Sequence, residues 1–257
     1  MAVKATAVNN DQWKRFLQAP SEATPRIIGR SYGPVGTGKT HFWLTSPGPI
    51  VVLSFDRGLE GVVEQFSEVK PIYLKEYDWA PTAIGDGFTQ DDASLMRDEF
   101  ELDFAHACTV ARTVIVDKES DAWEVFRYAE FGAPKADVPR DFEALNKRYK
   151  RVFSLPKKLT INFGVVQAVK DDWTGATKKS GTQSAWGFRE MDALVHVDIA
   201  HYRDANADGA KRFGITLGKV RGPAALTLPD TTWTGLDMPT LGQMMFPSTE
   251  AEDWGVE

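Results

Sequence analysis

One cysteine, Cys108, stands in 257 residues. An internal disulfide is excluded, and the thiol is expected as a small buried residue in a reducing compartment, the cytoplasm. Histidine is scarce too, four in all, and His196 and His201 lack ligand-spaced partners. That points to structural histidines rather than a metal centre. No apolar run approaches the ~20 residues that cross a bilayer. The first residues lack the charged-then-apolar order of a secretion signal, and no membrane partner is expected. Excess positive charge is also missing. The formal net charge is −6, so any nucleic acid must be met by local basic patches rather than a global field. The ordinary apolar fraction, 42%, allows a buried core, and the length suits one α/β domain with insertions.

What is present is a phosphate-binding loop. Gly33, Pro34, Val35, Gly36, Thr37, Gly38, Lys39 and Thr40 spell G-x-x-x-x-G-K-T. A triphosphate needs inward-pointing backbone N–H groups in a tight loop, which the glycines permit. Lys39 can reach the β and γ phosphates, and the Thr40 hydroxyl can take one Mg²⁺ position. The loop sits between a short apolar stretch, Arg26 to Tyr32, and a helical one from His41 to Leu44, the strand–loop–helix context the motif requires. His41 joins the nucleotide-binding set. ATP and Mg²⁺ are the expected cofactors.

Two buried strands ending in acids follow. Pro49 to Asp56 is nearly continuous apolar chain, and Thr113-Val114-Ile115-Val116-Asp117 is the Walker B pattern. Ligands in open α/β sheets bind beyond the carboxyl ends of strands, which places Asp56 near the phosphates and Asp117 at the metal. Glu60 and Glu119 are candidates for polarising the attacking water; Glu119 could equally be a helix-start acid. Between them, Leu59 to Phe66 reads as a helix, Pro71 to Leu74 as a strand and 75–89 as a loop. Asp91 to Ala111 reads as a helix capped by Thr89 or Asp91, with Leu95, Met96, Phe100, Phe104 and Cys108 as core.

Asp121 to Phe131 reads as a helix and 132–139 as a loop. The stretch 140–158 concentrates Arg140, Lys147, Arg148, Lys150, Arg151, Lys157 and Lys158 around Tyr149 and Phe153. Basic plus aromatic suits single-stranded nucleic acid, with Arg148 and Arg151 as contacts. An amphipathic helix burying Phe142, Leu145, Tyr149 and Val152 fits equally well. Leu159 to Gln167 is another buried strand, its terminal amide placed to sense the γ-phosphate. The polar stretch 168–187 is expected as a long functional loop in which Lys170, Trp173, Lys178, Lys179 and Trp186 contact bases and phosphates. The runs 193–203 and 211–220 form an antiparallel hairpin about Asn206 to Gly209; the second ends in Lys219 and Arg221. The expected domains are a leader over 1–25, an ATPase domain over 26–247, and an acidic, disordered tail over 248–257. The leader carries a short amphipathic helix, Asp11 to Ala19, packed on the core edge or docked on a neighbour. The tail could compete with DNA for the basic surface.

In this order, the phosphate loop, the strands ending in Asp56, Asp117 and Gln167, the Trp/Lys-rich stretch and the hairpin ending in Lys219 and Arg221 resemble the ATPase core of the RecA superfamily. More narrowly, the chain is similar to compact phage-encoded RecA-like proteins of single-strand annealing and recombination. The resemblance spans roughly residues 26 to 225, and only the phosphate loop is highly specific. It implies a RecA-like α/β fold, a mostly parallel sheet flanked by helices with a C-terminal antiparallel hairpin. It further implies Mg-dependent ATP hydrolysis, single-stranded DNA as partner, filament or ring assembly, and contact with a single-strand binding protein. Lys219 and Arg221 would match cations that reach a neighbouring subunit's ATP, and Gln167 the sensor that opens a DNA-binding loop. Gly58 stands where RecA carries its glutamate, so the catalytic base is open among Glu60, Asp56 and Glu119. Lys118 replaces the small hydroxyl residue usual after the Walker B acid. Two other readings remain: a P-loop ATPase acting in phage assembly or host interaction without DNA, and a nucleotide-binding scaffold without useful hydrolysis.

Overall fold

A computed structural model describes residues 25–59, 61–79, 87–132, 141–174 and 177–255, with side chains described except at 172–174, 177–182 and 210–211. Strands β1 (Ile28–Tyr32), β2 (Ile50–Ser54), β3 (Ile72–Glu76), β4 (Thr113–Asp117) and β5 (Asn162–Thr174) alternate with helices. These are α1 (Lys39–Leu44), α2 (Glu64–Ser67), α3 (Gln90–Val110), α4 (Glu119–Phe131) and α5 (Glu143–Phe153). Then come β6 (Thr177–Trp186), α6 (Met191–Leu194), β7 (Val197–Arg203), β8 (Phe213–Val220), β9 (Thr232–Thr234) and α7 (Met238–Met245). The sheet order is β3-β2-β4-β5-β1-β7-β8-β9, with β6 paired to β5 alone. From β3 to β7 every neighbour is parallel, and β8 and β9 add antiparallel strands at one edge. The expected α/β architecture is therefore present.

Strand alternation divides the core between the two faces. Val114 and Val116 of β4 join Phe100, Phe104, Phe126, Tyr149 and Phe153 beneath α3, α4 and α5. Ile115 joins Trp43, Val52, Leu217 and Leu241 beneath α1 and α7. Trp43 seats the six-residue α1. Its indole lies where a Cβ on Gly164 would come within 2.3 Å and one on Gly29 within 2.9 Å, so both strands carry glycine there. Trp43 Nε1 donates to Ser31 Oγ at 2.9 Å. In α3 the cap is Thr89, in a capping box with Asp92. Phe100, Phe104 and Cys108 are buried as expected, but Leu95 is 71% exposed. Burial pushes the Cys108 thiol up to about 12, an inert core residue.

Three expectations change. The stretch 168–187 is an antiparallel ribbon: β5 runs on past the sheet to Thr174 and returns as β6. Backbone pairing satisfies the polar main chain that a loop would leave to water. The run from Ala193 does not begin a strand; α6 ends at Leu194 and β7 starts at Val197. The acidic end is ordered through residue 255: Ala251–Trp254 form a 3-10 turn, and Trp254 is 1% exposed against α7. One buried indole outweighs the solubility of the surrounding acids.

Candidate functional site

β1 delivers the phosphate loop to the carboxyl edge of the parallel strands. Gly36 and Gly38 turn it with φ of 74° and 81°, a left-handed backbone that side chains resist. Gly33 lies so close to β7 that a Cβ would stand 2.4 Å from the His201 carbonyl oxygen. His201 is buried behind the loop. It bonds Ser31 Oγ at 2.9 Å and the Thr37 backbone, and burial lowers its pKa to about 3. The imidazole is thus neutral, and it ties the strand that enters the loop to the loop's middle.

Lys39 Nζ folds back on the Gly33 and Pro34 carbonyls, 2.8 Å each. Burial lowers its pKa, and Asp117 opposes that. Thr40 Oγ1 donates to Asp117 Oδ1 at 2.8 Å. Asp117 is almost wholly buried, and its pKa rises to about 6. Desolvation is the main cause and Asp56 adds to it, while Thr40, Lys39 and Lys118 pull the other way. A cavity of about 520 Å³ is lined by Gly33 through His41 together with Asp56, Asp117 and Gln167. Every residue expected to bind nucleotide meets in this one space. The donor set fits a triphosphate with its metal: a glycine cradle, an ammonium, and a hydroxyl–carboxylate pair of hard oxygen ligands. Among the described residues no cluster of three His, Cys, Asp or Glu side chains forms a separate metal centre.

Lys118 also lines the cavity and was missed as a site residue. It joins β4 to α4 with φ 59°, 3.1 Å from Asp121 and 3.9 Å from Asp56. A left-handed non-glycine turn beside a site is a strain marker, invisible until the backbone is seen. Phe213 was missed as well. It stands 3.4 Å from a Cβ on Gly38 and walls both the phosphate cavity and a second cavity of about 310 Å³ lined by His41, Phe42, His201, Ile215 and Leu236.

Other expected residues lie elsewhere. Glu119 is fully buried, held by Tyr149, Gln167 and the Phe188 amide, and is absent from the cavity wall. It is not placed to polarise water. Glu60 lies outside the described residues. Lys219 and Arg221 flank Val220, which pairs with Val197 at the start of β7. They therefore occupy the sheet edge opposite the phosphate loop. Lys219 Nζ donates to the Asp192 carbonyl. Burial lowers the His196 pKa to about 4, with Arg26, Lys157, Arg221 and Lys219 adding to the effect.

Arg148 is ion-paired across helices with Glu101 at 2.6 Å and Asp98 at 2.7 Å, which corrects its expected freedom to contact DNA. Leu145, Tyr149 and Phe153 of α5 are buried, so the rings expected for bases are core. Arg151 is exposed. On the ribbon, Lys170 is exposed and Trp186 is 37% exposed. The side chains of Trp173, Lys178 and Lys179 lie outside the described set.

No family model matches the chain, and no curated protein does. Among 123 solved chains that match is a KaiC-like protein of the hyperthermophilic archaeon Pyrococcus horikoshii, 10% identical, with a TM-score of 0.45 over 81% of this chain and 84% of that one. An overlap so loose carries no argument; the site stands on the loop, the strand order and the Thr40–Asp117 pair.

Proposed function

We propose that the protein is an ATP-binding, RecA-like P-loop ATPase that binds and anneals single-stranded DNA and assembles through nucleotide sites at subunit interfaces. The observation that carries the nucleotide reading is the meeting of Lys39, Thr40, Asp56, Asp117 and Gln167 around one glycine-cradled cavity. Lys39 leaves the loop carbonyls for the β and γ phosphates, and loop N–H groups bind the remaining oxygens. Thr40 and Asp117 would hold Mg²⁺, which would supply screening of the phosphate charge. The adjoining cavity takes the base, with Phe213 supplying an aromatic face and Leu236 an apolar wall. Lys219 and Arg221, remote from their own loop, act on the nucleotide of the next subunit.

The DNA reading draws on the ribbon. Ala168 faces Trp186 and Lys170 faces Ser184 across the two strands, so Trp186 and Lys170 share one ribbon face, a ring beside a charge. A second reading, an ATPase without DNA, is favoured by the net charge of −6 and by the engaged Arg148.

The test titrates labelled oligo-dT at low salt with and without ATP, and measures ATP turnover with and without DNA. DNA binding that Lys39→Ala weakens supports the first reading. Turnover indifferent to DNA, with no oligonucleotide bound, supports the second.

A further inference from the structure

Among the described residues of the cavity wall, Lys118 alone combines a side chain with a left-handed backbone. It is the cap of α4, and its carbonyl accepts from Asp121 N at 2.9 Å. Glycine or asparagine suits such a turn, because a Cβ crowds the following carbonyl. Placing a lysine there costs free energy, and residues held at that cost gather at functional sites.

The turn sets where the ammonium goes. Lys118 Nζ lies 3.1 Å from Asp121 Oδ2, three residues on, and 3.9 Å from Asp56 Oδ2. It therefore stands across the ends of β2 and β4, which are paired as neighbours. The Asp121 side chain is buried, while that of Lys118 stays 39% exposed. An ammonium carries three N–H donors. Asp121 engages one, and 3.9 Å is too long for a hydrogen bond to Asp56. Two donors remain for the cavity that Lys118 lines.

Charge gives those donors a purpose. The cavity wall holds two ammoniums, Lys39 and Lys118, and two carboxylates, Asp56 and Asp117. A phosphate loop cradles the inner phosphates of a nucleotide. That leaves the strand ends of Asp56, Asp117 and Lys118 for the terminal one. A terminal phosphate there meets two acids and is repelled unless a cation offsets them. Lys219 and Arg221 of the same chain sit at the opposite sheet edge and cannot do so.

We infer that Lys118 is a second phosphate-binding cation, given to the terminal phosphate of a nucleoside triphosphate by the same chain that carries the loop. Asp121 anchors the ammonium, and the left-handed turn aims it. A diphosphate lacks the group that Lys118 meets. The inference rests on the nucleotide reading of the cavity.

The test titrates full-length protein with a non-hydrolysable ATP analogue and with ADP, for wild type, Lys118→Met, Lys118→Arg and Lys118→Gly, with Lys39→Ala as control. Lys118→Met keeps length and loses charge. Analogue affinity should fall about tenfold while ADP affinity is unchanged. Lys118→Arg keeps the charge and should retain most of the analogue affinity. Lys118→Gly fits the turn without strain, so it carries the test if Lys118→Met does not fold, with the same selective loss. A mixture separates one chain from two. Lys39→Ala subunits keep Lys118 but have lost their own loop ammonium. Added in excess to Lys118→Met, they should leave the weakened analogue binding as it is. Binding restored by the mixture would assign Lys118 to a neighbour's nucleotide and overturn the inference. So would analogue and ADP affinities falling together, or neither falling, even where Lys39→Ala abolishes binding. If wild type binds neither nucleotide, the cavity reading itself has failed and the role of Lys118 falls with it.

Discussion

Thr40 and Asp117 touch, hydroxyl to carboxylate at 2.8 Å, although β1 and β4 are not neighbours; β5 runs between them. The contact exists because both strands end at the same sheet edge, and it draws Asp117 into a site where its charge is poorly solvated. Burial raises its pKa from 3.8 to about 6. A carboxyl raised in the folded state adds full stability below its unfolded pKa and loses that stability as pH climbs through the folded value.

At pH 7, then, ionised Asp117 opposes folding by on the order of 2–3 kcal/mol. Asp117→Asn should raise the melting temperature at pH 7 while abolishing Mg-dependent nucleotide binding. Melting curves at pH 5 and pH 7 check the sign, since the gain should shrink at the lower pH. Equal gains at both would show that charge burial is not its cause.

His201 makes the opposite demand. Trp43 Nε1 donates to Ser31 Oγ, Ser31 Oγ pairs with His201 Nε2, and the imidazole also meets the Thr37 backbone. Burial keeps that imidazole neutral, and the Ser31 hydroxyl can then donate to it. The folded pKa of about 3 lies below the ordinary 6.5, so the unfolded chain binds the extra proton first. Stability is complete above about pH 6.5 and falls toward pH 3, by up to ~1.4 kcal/mol per pH unit for one such group. His201→Asn should flatten denaturant midpoints between pH 6.5 and pH 4 and weaken ATP binding, because the loop loses its brace. An unchanged slope would leave the acid sensitivity to His196, also lowered to about 4.

The parallel core and phosphate site were legible because their signals are local. Four β-branched or hydroxylic residues before Asp117, and glycines before Lys39, spell strand and loop within a few residues. The ribbon was not, because Lys170 to Trp186 lacks apolar alternation; its pairing is set by the backbone running on from a buried strand. Glu119 read as a possible base because only tertiary packing brings Tyr149 and Phe188 to it. Phe213 and His201 join the site from a hairpin over 160 residues downstream of the loop, which no window can see. Arg148 looked free in a basic run because its partners, Asp98 and Glu101, lie on another helix.

The acidic end illustrates composition overruled by one side chain. Trp254 packs where a Cβ on Gly242 would stand 2.3 Å away, and its Nε1 donates to Thr249 Oγ1 at 2.8 Å. Removing a buried tryptophan of this kind costs about 3–5 kcal/mol. Trp254→Ala and truncation before residue 248 should both lower the melting temperature markedly. Glu252→Gln, on the exposed face, should leave it unchanged. A truncated protein as stable as the full chain would restore the disordered tail.

Trp186 and Lys170 share a ribbon face, and the contribution of each to the proposed DNA binding can be separated by salt. A lysine on a phosphate releases counterions, so Lys170→Ala should weaken oligo-dT binding and lower the slope of log K against log salt by about 0.7. A ring stacked on a base releases none. Trp186→Ala should cost about 1–3 kcal/mol of affinity with the slope unchanged. Both effects should be measured with ATP analogue present. If Trp186→Ala changes the slope instead, the ring supports the ribbon rather than a base. If neither variant weakens binding, DNA does not meet this face, and the ATPase without DNA becomes the better reading.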